Sequence, residues 1–155
     1  YLIEQVQHTG TNSVKCTTAG SSNAITLNFN HPVKELVWYL EPATTDTGYI
    51  SKAKLQLNGH DRFSGQHLDY FTRTQVWQHH TGNGGVQTTD SIGVYSFALK
   101  PEEHQPSGTC NFSRIDNAKL MFTTTVATGS TLTVYAVNYN VLRIMSGMGG
   151  LAYSN

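Results

Sequence analysis

Strict alternation of apolar and polar residues constrains the fold of this chain more than any other feature of its sequence. Between Ala24 and Phe29, the apolar side chains of Ile25, Leu27 and Phe29 occur at every second position. Successive side chains of an extended strand point to opposite faces, so these three share one face. Alternating or densely apolar runs also occur at 2–9, 35–40, 53–58, 92–99, 114–123 and 131–144. Turn-forming segments rich in Gly, Ser, Thr and Asn separate the runs, and the whole pattern predicts a β-sandwich.

The spacing of the apolar residues also predicts the core and the interruptions of the strands. The residues expected in the core are Ile25, Leu27, Phe29, Leu55, Leu57, Val94, Leu120, Phe122, Leu132 and Val134. Pro32 lacks the N–H that a ladder needs, so it is expected to break the run that ends at Phe29. Weak helical spacing at 64–80 predicts a short helix inserted between two strands, and 102–107 is a candidate for another helical turn. A bend is expected near residues 138–140.

The charge and cysteine content limit the kinds of partner. Charged residues make up 13% of the chain, and ten Lys and Arg balance ten Asp and Glu. Such a surface does not attract nucleic acid or an anionic membrane, and weak self-repulsion favours association.

There is no signal peptide and no apolar run near the length of a membrane span, so Cys16 and Cys110 are expected to stay reduced and unbonded. Asn111-Phe112-Ser113 matches the N-glycosylation pattern but is expected to be unmodified. The chain opens on Tyr1 without an initiator Met and is expected to be a fragment of a longer protein.

No residue pattern predicts catalysis or a metal site. The seven histidines include no His-x-His pair, and the adjacent side chains of His79 and His80 would point apart on an extended chain. We therefore expect no metal and no cofactor. No Gly-x-Ser-x-Gly motif marks a nucleophile. The carboxylates of Asp61, Glu102 and Glu103 fit local ion pairs or a helix start better than acid–base catalysis.

The predicted insert gathers residue types that are common in protein interfaces. Tyr70, Phe71, Arg73 and Trp77 lie within eight positions of one another. Buried centres of interfaces favour Trp, Tyr and Arg, which makes these four candidates for a subunit contact. Two alternatives stay open. In the first, the insert adds to the core, and in the second, Trp77, Tyr70 and Phe71 stack on a sugar.

The last sixteen residues form an uncharged tail except for Arg143, and three of four positions from 147 to 150 are glycine. Chain termini are usually polar and frayed, so an apolar terminus is expected to pack against something. The tail either closes its own sheet as a last strand or contacts a neighbouring subunit, since glycine lets a backbone approach a partner closely. The interface candidates here are Met145, Met148, Leu151 and Tyr153.

Six segments of the sequence are similar to one known family. They are residues 2–7, 30–36, 57–63, 78–81, 96–117 and the tail at 140–155. Together they resemble the C-terminal part of the major capsid protein of nucleocytoplasmic large DNA viruses. The similar segments are spread over nearly the whole chain.

This resemblance implies an all-β fold, an eight-stranded jelly-roll β-sandwich with a short helical insert between strands. It implies that 1–155 is a single jelly-roll domain, the second of two in the full-length family protein. Three such proteins form a homotrimer, and the trimers tile an icosahedral capsid assembled in the host cytoplasm. The expected partners are neighbouring capsomers and minor capsid proteins. No enzymatic activity, cofactor, direct nucleic-acid contact or membrane insertion is expected. A carbohydrate-binding jelly-roll module is the alternative function, and a cupin-type enzyme is a third.

Overall fold

Two antiparallel sheets pack face to face. The computed structural model describes residues 1–10, 18–41, 49–82, 92–125 and 129–154, together with the backbone of 14–16. The strands are β1 (Leu2–His8), β2 (Val14–Cys16), β3 (Ser22–Thr26), β4 (Pro32–Glu41), β5 (Ile50–Leu57), β6 (His60–Asp61), β7 (Gln66–His67), β8 (Ile92–Ser96), β9 (Cys110–Asn111), β10 (Ala118–Thr124), β11 (Ser130–Met145) and β12 (Met148–Leu151).

The order of the strands is that of a jelly roll. In the first sheet the order is β1-β11-β4-β8, with β2 and β12 also paired to β11 and β9 paired to β4. In the second sheet the order is β3-β10-β5-β6, with β7 paired to β5. Successive long strands therefore alternate between the sheets, and the last long strand lies between the first and the third. The predicted jelly-roll β-sandwich is confirmed.

The core lies between the two inner faces. Strand β10 shows the alternation most clearly, because Leu120 and Phe122 are buried while Met121 and Thr123 between them are half-buried on the outer face. Nine of the ten expected core residues are buried, and Leu57 is partly buried against the same cluster. The register inferred from the sequence is therefore correct for most of the strands.

In β8 the expected core residue, Val94, is buried but lies outside the main core cluster. It pairs with Val37, whose neighbours Leu36 and Trp38 are the residues that face the core. Tyr95 is the β8 residue in the core cluster. The run at 92–96 is apolar on both faces, so the period-two pattern that fixes a register is absent there.

Glycine at position 93 makes room for the largest core side chain. Gly93 lies directly across the ladder from Trp38, and a Cβ at this position would overlap the indole ring. Trp38 is buried and packs edge-on against Phe71, with ring centroids 5.0 Å apart. The indole thus occupies the space above a residue that has no side chain, and it joins the sheet to the helical insert.

The predicted insert is a helix at residues 68–79. It contains a π-helical stretch, Tyr70–Thr74, followed by helix α1 at Gln75–His79. The insert packs on β8, where the buried Gln75 side chain accepts a hydrogen bond from the Ser96 N–H at 3.1 Å. The segment at 102–107 forms no helix. The backbone there makes a turn, in which the Glu103 N–H lies 3.3 Å from the Lys100 carbonyl oxygen.

A bulge in β4 lies opposite the place where a bend is predicted in the last long strand. The register between β4 and β11 shifts between Val137 and Asn138, and Lys34 takes no place in the pairing. The Lys34 carbonyl accepts hydrogen bonds from the N–H groups of residues 97 and 98. Its buried ammonium forms an ion pair with Glu4 at 2.7 Å. The bulge thereby joins β4 to β1 and to the chain that follows β8.

Replacement of Leu120 by Ala tests the assignment of the core. The Leu120 side chain is fully buried, so its truncation leaves a cavity and is expected to lower the free energy of unfolding by about 2–5 kcal/mol. Leu99 is 73% exposed, and Leu99→Ala is expected to change it by less than about 0.5 kcal/mol. Chemical unfolding of both variants measures the difference. Equal effects would contradict the assignment.

Replacement of Gly93 by Ala tests the contact with Trp38. The added methyl group overlaps the indole, and overpacking of this kind is expected to destabilise the protein by about 1–3 kcal/mol. Gly65→Ala is the matched control, since a Cβ at Gly65 meets no atom within 4 Å. Thermal unfolding should show a lower Tm for Gly93→Ala alone. An unchanged Tm would mean that Trp38 does not fill the space above Gly93.

Candidate assembly surface

The helical insert presents a patch that is part aromatic and part cationic. We define the insert patch as Tyr70, Arg73 and Trp77. Trp77 is 79% exposed, and the guanidinium of Arg73 lies 3.8 Å from the Asp69 carboxylate in the preceding turn. Tyr70 is half-buried, and its hydroxyl accepts a hydrogen bond from the Gln75 side chain at 2.9 Å. The patch is a fixed surface from which one large aromatic side chain projects.

The fourth candidate in the insert, Phe71, lies in the core. It is 1% exposed and packs against Trp38 and Phe63. A neighbouring subunit cannot reach this ring, so the core alternative holds for Phe71. Tyr70 is half-buried and Trp77 is 79% exposed, so a sugar would find one largely exposed ring here instead of three.

His80 fastens the end of the insert to the first sheet. Its Nε2 lies 2.8 Å from the Glu35 carboxylate on β4, and its Nδ1 lies 3.2 Å from the Glu102 carboxylate. Glu35 is buried, so the imidazole gives a polar group in β4 its partner. The preceding ring, His79, places Nδ1 3.0 Å from the Leu99 carbonyl oxygen. The two adjacent histidines thus bind different parts of the chain and hold the insert in one orientation.

Glu102 accepts hydrogen bonds from both the backbone and the side chain of Thr81. The Thr81 N–H lies 2.9 Å from one carboxylate oxygen, and the Thr81 hydroxyl lies 2.8 Å from the other. These bonds, assisted by His80, hold the pKa of the Glu102 carboxyl below its usual value. The ionised form is therefore the one that fastens residues 80–81 to the chain after β8.

The tail folds back on β11 as a hairpin. Strand β12 pairs with the end of β11, from Leu142↔Leu151 to Met145↔Met148. The two turn residues, Ser146 and Gly147, have φ values of 51° and 78°. Positive φ at both positions is typical of the type I′ turn that suits the twist of a two-residue hairpin. We call this segment, residues 143–151, the tail hairpin.

The tail hairpin extends beyond the sandwich and exposes its apolar side chains. Met145 is 55% exposed, Met148 76% and Leu151 43%, and Tyr153, just after the hairpin, is 63% exposed. Its base is fixed, because the side-chain amide of the buried Asn140 donates to the Tyr153 carbonyl at 2.8 Å. The tail is thus an added strand of its own sheet, as one alternative holds, but it covers no part of the core.

A third apolar surface was not found from the sequence. The outer face of the first sheet exposes Val6, Tyr39, Ile92 and Tyr135, which we call the sheet patch. All four lie on the outward face of their strands, where a polar residue is expected. The sequence signal for this patch is an apolar residue at an outward position in each of four adjacent strands, β1, β11, β4 and β8.

Among the described residues, no three His, Cys, Asp or Glu side chains are grouped as they would be around a metal ion, and no helix is long and apolar enough to cross a membrane. Cys110 carries a free thiol whose pKa is raised by burial, while the side chain of Cys16 lies outside the described residues. The exposed Asn111 side chain accepts a hydrogen bond from the Ser113 N–H at 3.1 Å.

Comparisons with known proteins assign the chain to a family. Residues 1–150 match the model of the large eukaryotic DNA virus major capsid protein. The chain belongs to this family of capsid proteins. It is 53% identical to the major capsid protein of Pyramimonas orientalis virus and 41% identical to that of Paramecium bursaria Chlorella virus 1, over 100% of its own length in both cases. It spans 43% and 48% of those two proteins, or about half of each.

The fold agrees with this capsid family. The chain aligns over its full length with a protein in a quasi-atomic model of the PBCV-1 virus capsid, at a TM-score of 0.84 and 37% identity, and covers 51% of it. The resemblance read from the sequence is therefore confirmed. The relatives are named as capsid proteins, and the carbohydrate-binding alternative is not favoured. The roles of the insert patch and the tail as subunit contacts stay predictions.

Replacement of Glu102 by Gln tests the attachment of the insert. Because the folded-state pKa of Glu102 is lowered, its carboxylate contributes stability above the unfolded pKa, and that contribution is lost as the pH falls through the folded pKa. We expect Glu102→Gln to lower the Tm at about pH 7, with the difference from wild type disappearing towards about pH 3. Glu103→Gln, whose carboxylate pairs with Lys100, is the control. A Tm difference that does not depend on pH would contradict the role of the carboxylate.

Proposed function

We propose that this chain is part of a structural building block of an icosahedral viral shell. The observation that carries the proposal is the full-length alignment with a protein of the PBCV-1 virus capsid, at 37% identity. In this proposal residues 1–155 form one jelly-roll domain, the second of two in a full-length protein about twice as long. That protein forms a homotrimer, contacts neighbouring capsomers and minor capsid proteins in the virion capsid, and assembles in the host cytoplasm.

The surface of the domain supports an assembly role. Its net charge is zero, so copies do not repel one another through their overall field. The insert patch, the tail hairpin and the sheet patch expose apolar side chains that a lone domain has no reason to carry. Neither nucleic acid nor a membrane is a partner in this proposal, and no cofactor or enzymatic activity belongs to it.

The mass of the full-length protein in solution tests the proposal. We expect light scattering after size-exclusion chromatography to give the mass of a trimer, and mass spectrometry of purified virions to find the protein as a major component. A full-length protein that is monomeric at every concentration and absent from particles would overturn the proposal. Binding of the monomer to glycans on an array would instead favour the carbohydrate-binding function.

Replacement of Trp77 by Ala tests the insert patch as a subunit contact. The ring is 79% exposed in the domain, so its loss should leave the Tm nearly unchanged while weakening assembly of the full-length protein. Truncation of an aromatic residue at the centre of an interface commonly costs about 2 kcal/mol or more of binding free energy. Leu99→Ala is the control, since Leu99 is 73% exposed outside the patch. Assembly that is unchanged in Trp77→Ala would remove the insert patch from the interface.

A further inference from the structure

The outer edge of β12 carries hydrogen-bonding groups that no described strand uses. On β11, Leu142 exchanges two hydrogen bonds with Tyr1 on the β1 side, at 2.9 and 2.8 Å. The preceding residue, Val141, directs its backbone groups to the opposite side of β11, where its carbonyl accepts a hydrogen bond from the Ala152 N–H at 2.8 Å. Because bonding direction alternates along an antiparallel ladder, Arg143 and Met145 also face β12.

The partners of those β11 residues identify the inward groups of β12. Arg143 pairs with Gly150, and Met145 pairs with Met148, so these two β12 residues direct their N–H and C=O groups towards β11. Gly149 and Leu151 alternate with them and direct theirs outward. Each tail hairpin therefore offers two donors and two acceptors along one edge that no described strand covers.

Apart from its shortness, this edge lacks the features that normally prevent strands from associating. Natural edge strands are protected by Lys, Pro, bulges or covering loops. Strand β12 reads Met-Gly-Gly-Leu, with no charge and no Pro, and its pairing with β11 is continuous over four residues. An isolated two-stranded ribbon is marginal in water. The tail hairpin is nevertheless held in place at its base, by Tyr1 and by Asn140.

We propose that the β12 edge pairs with the β12 edge of a second copy of this chain, antiparallel and about a two-fold axis that passes between the two Gly150 residues. In this register Gly149 of each copy lies opposite Leu151 of the other. Both are outward-facing residues, so the two pairs form four hydrogen bonds and use every outward group of both edges. The inference rests on the assembly role proposed above.

The glycines fit this register. Gly150 faces Gly150 across the axis, at a pair that makes no hydrogen bonds and where strands approach most closely, to about 4.5 Å between Cα atoms. A Cβ at Gly150 meets no atom within 4 Å, so the space over this position is open. On the other face, the Leu151 side chain of each copy lies over Gly149 of its partner, which has no side chain to obstruct it. The β12 edge of a second copy thus matches this edge in hydrogen bonding, charge and shape.

A contact of this symmetry joins different trimers. A two-fold interface places the same patch of both subunits against itself, whereas the subunits of a trimer meet through two different patches. Four residues a side bury far less than the roughly 1,000 Å² that a stable isolated interface needs. The pairing therefore holds when many copies are linked in a shell and is weak between two free copies.

Cysteine at position 150 of the full-length protein tests the register in assembled particles. The two Cα atoms of facing residues lie within the range of about 4.4–6.8 Å that a disulfide spans, so mild oxidation of Gly150→Cys should shift the protein to a covalent dimer. Mass spectrometry should find the peptide linked to itself through Cys at position 150. Gly149→Cys is the matched control, because its Cα atoms lie about 8–9 Å apart in this register, beyond reach of a disulfide. Equal yields from both variants, or no dimer from either, would overturn the register.

Hydrogen exchange on the wild-type protein supplies a test that needs no variant. The amides of Gly149 and Leu151 should exchange quickly in free trimers and slowly in particles, while the Gly150 amide is protected in both. Fast exchange at Gly149 and Leu151 in particles would falsify the pairing. Protection without a Gly150→Cys dimer would show that another polypeptide strand occupies the edge, which overturns the second copy as the occupant. Either failure leaves the trimer mass unchanged and is therefore distinct from failure of the proposed function.

Discussion

The length of β11 is the constraint on which the rest of the structure depends. This strand of 16 residues pairs with β1 and β2 along one edge and with β4 and β12 along the other. Its first half supplies Leu132, Val134 and Ala136 to the core. Its last residues, 143–145, extend past the end of the sandwich, where neither β1 nor β4 accompanies the strand. One strand thus builds the centre of the domain and carries the tail hairpin out of it.

Buried polar groups mark the place where β11 passes from the core to the surface. Asn138 and Asn140 are buried, and their side chains bind Gln7 and Gln5 on β1. Asn140 also binds the Tyr153 carbonyl. A buried amide without partners would be costly, so these bonds fix the direction in which the strand leaves the sandwich. The orientation of the tail hairpin follows from the interior of the domain.

The insert is held by a different means, since it depends on one aromatic contact and one polar cluster. Phe71 packs on Trp38 inside the sandwich, while His80 lies between Glu35 and Glu102 at the surface. With both ends fixed, the exposed ring of Trp77 has a defined position. The insert patch and the tail hairpin lie far apart in sequence, and the same sandwich holds both in place, as binding surfaces on a scaffold require.

Much of the fold follows from local sequence. Alternation placed Leu120, Phe122, Leu132 and Val134 correctly in the core, because on a half-buried strand the choice of face is a property of each residue and its second neighbours. Where both faces are apolar, as at Val94 and Tyr95, the pattern contains no information about the face, and the contact with Trp38 across Gly93 decides it.

The sequence alone also determined the family, the jelly-roll class, the helical insert and the apolar character of the tail. Tertiary structure decided which of those apolar side chains are available. Phe71 is drawn into the core by Trp38, while Trp77, six residues later, is left outside. Whether β12 completes a sheet or exposes an edge depends on where β4 begins relative to the end of β11, a relation between residues about a hundred positions apart. Sequence spacing describes neighbours along the chain, and exposure is set by neighbours in space.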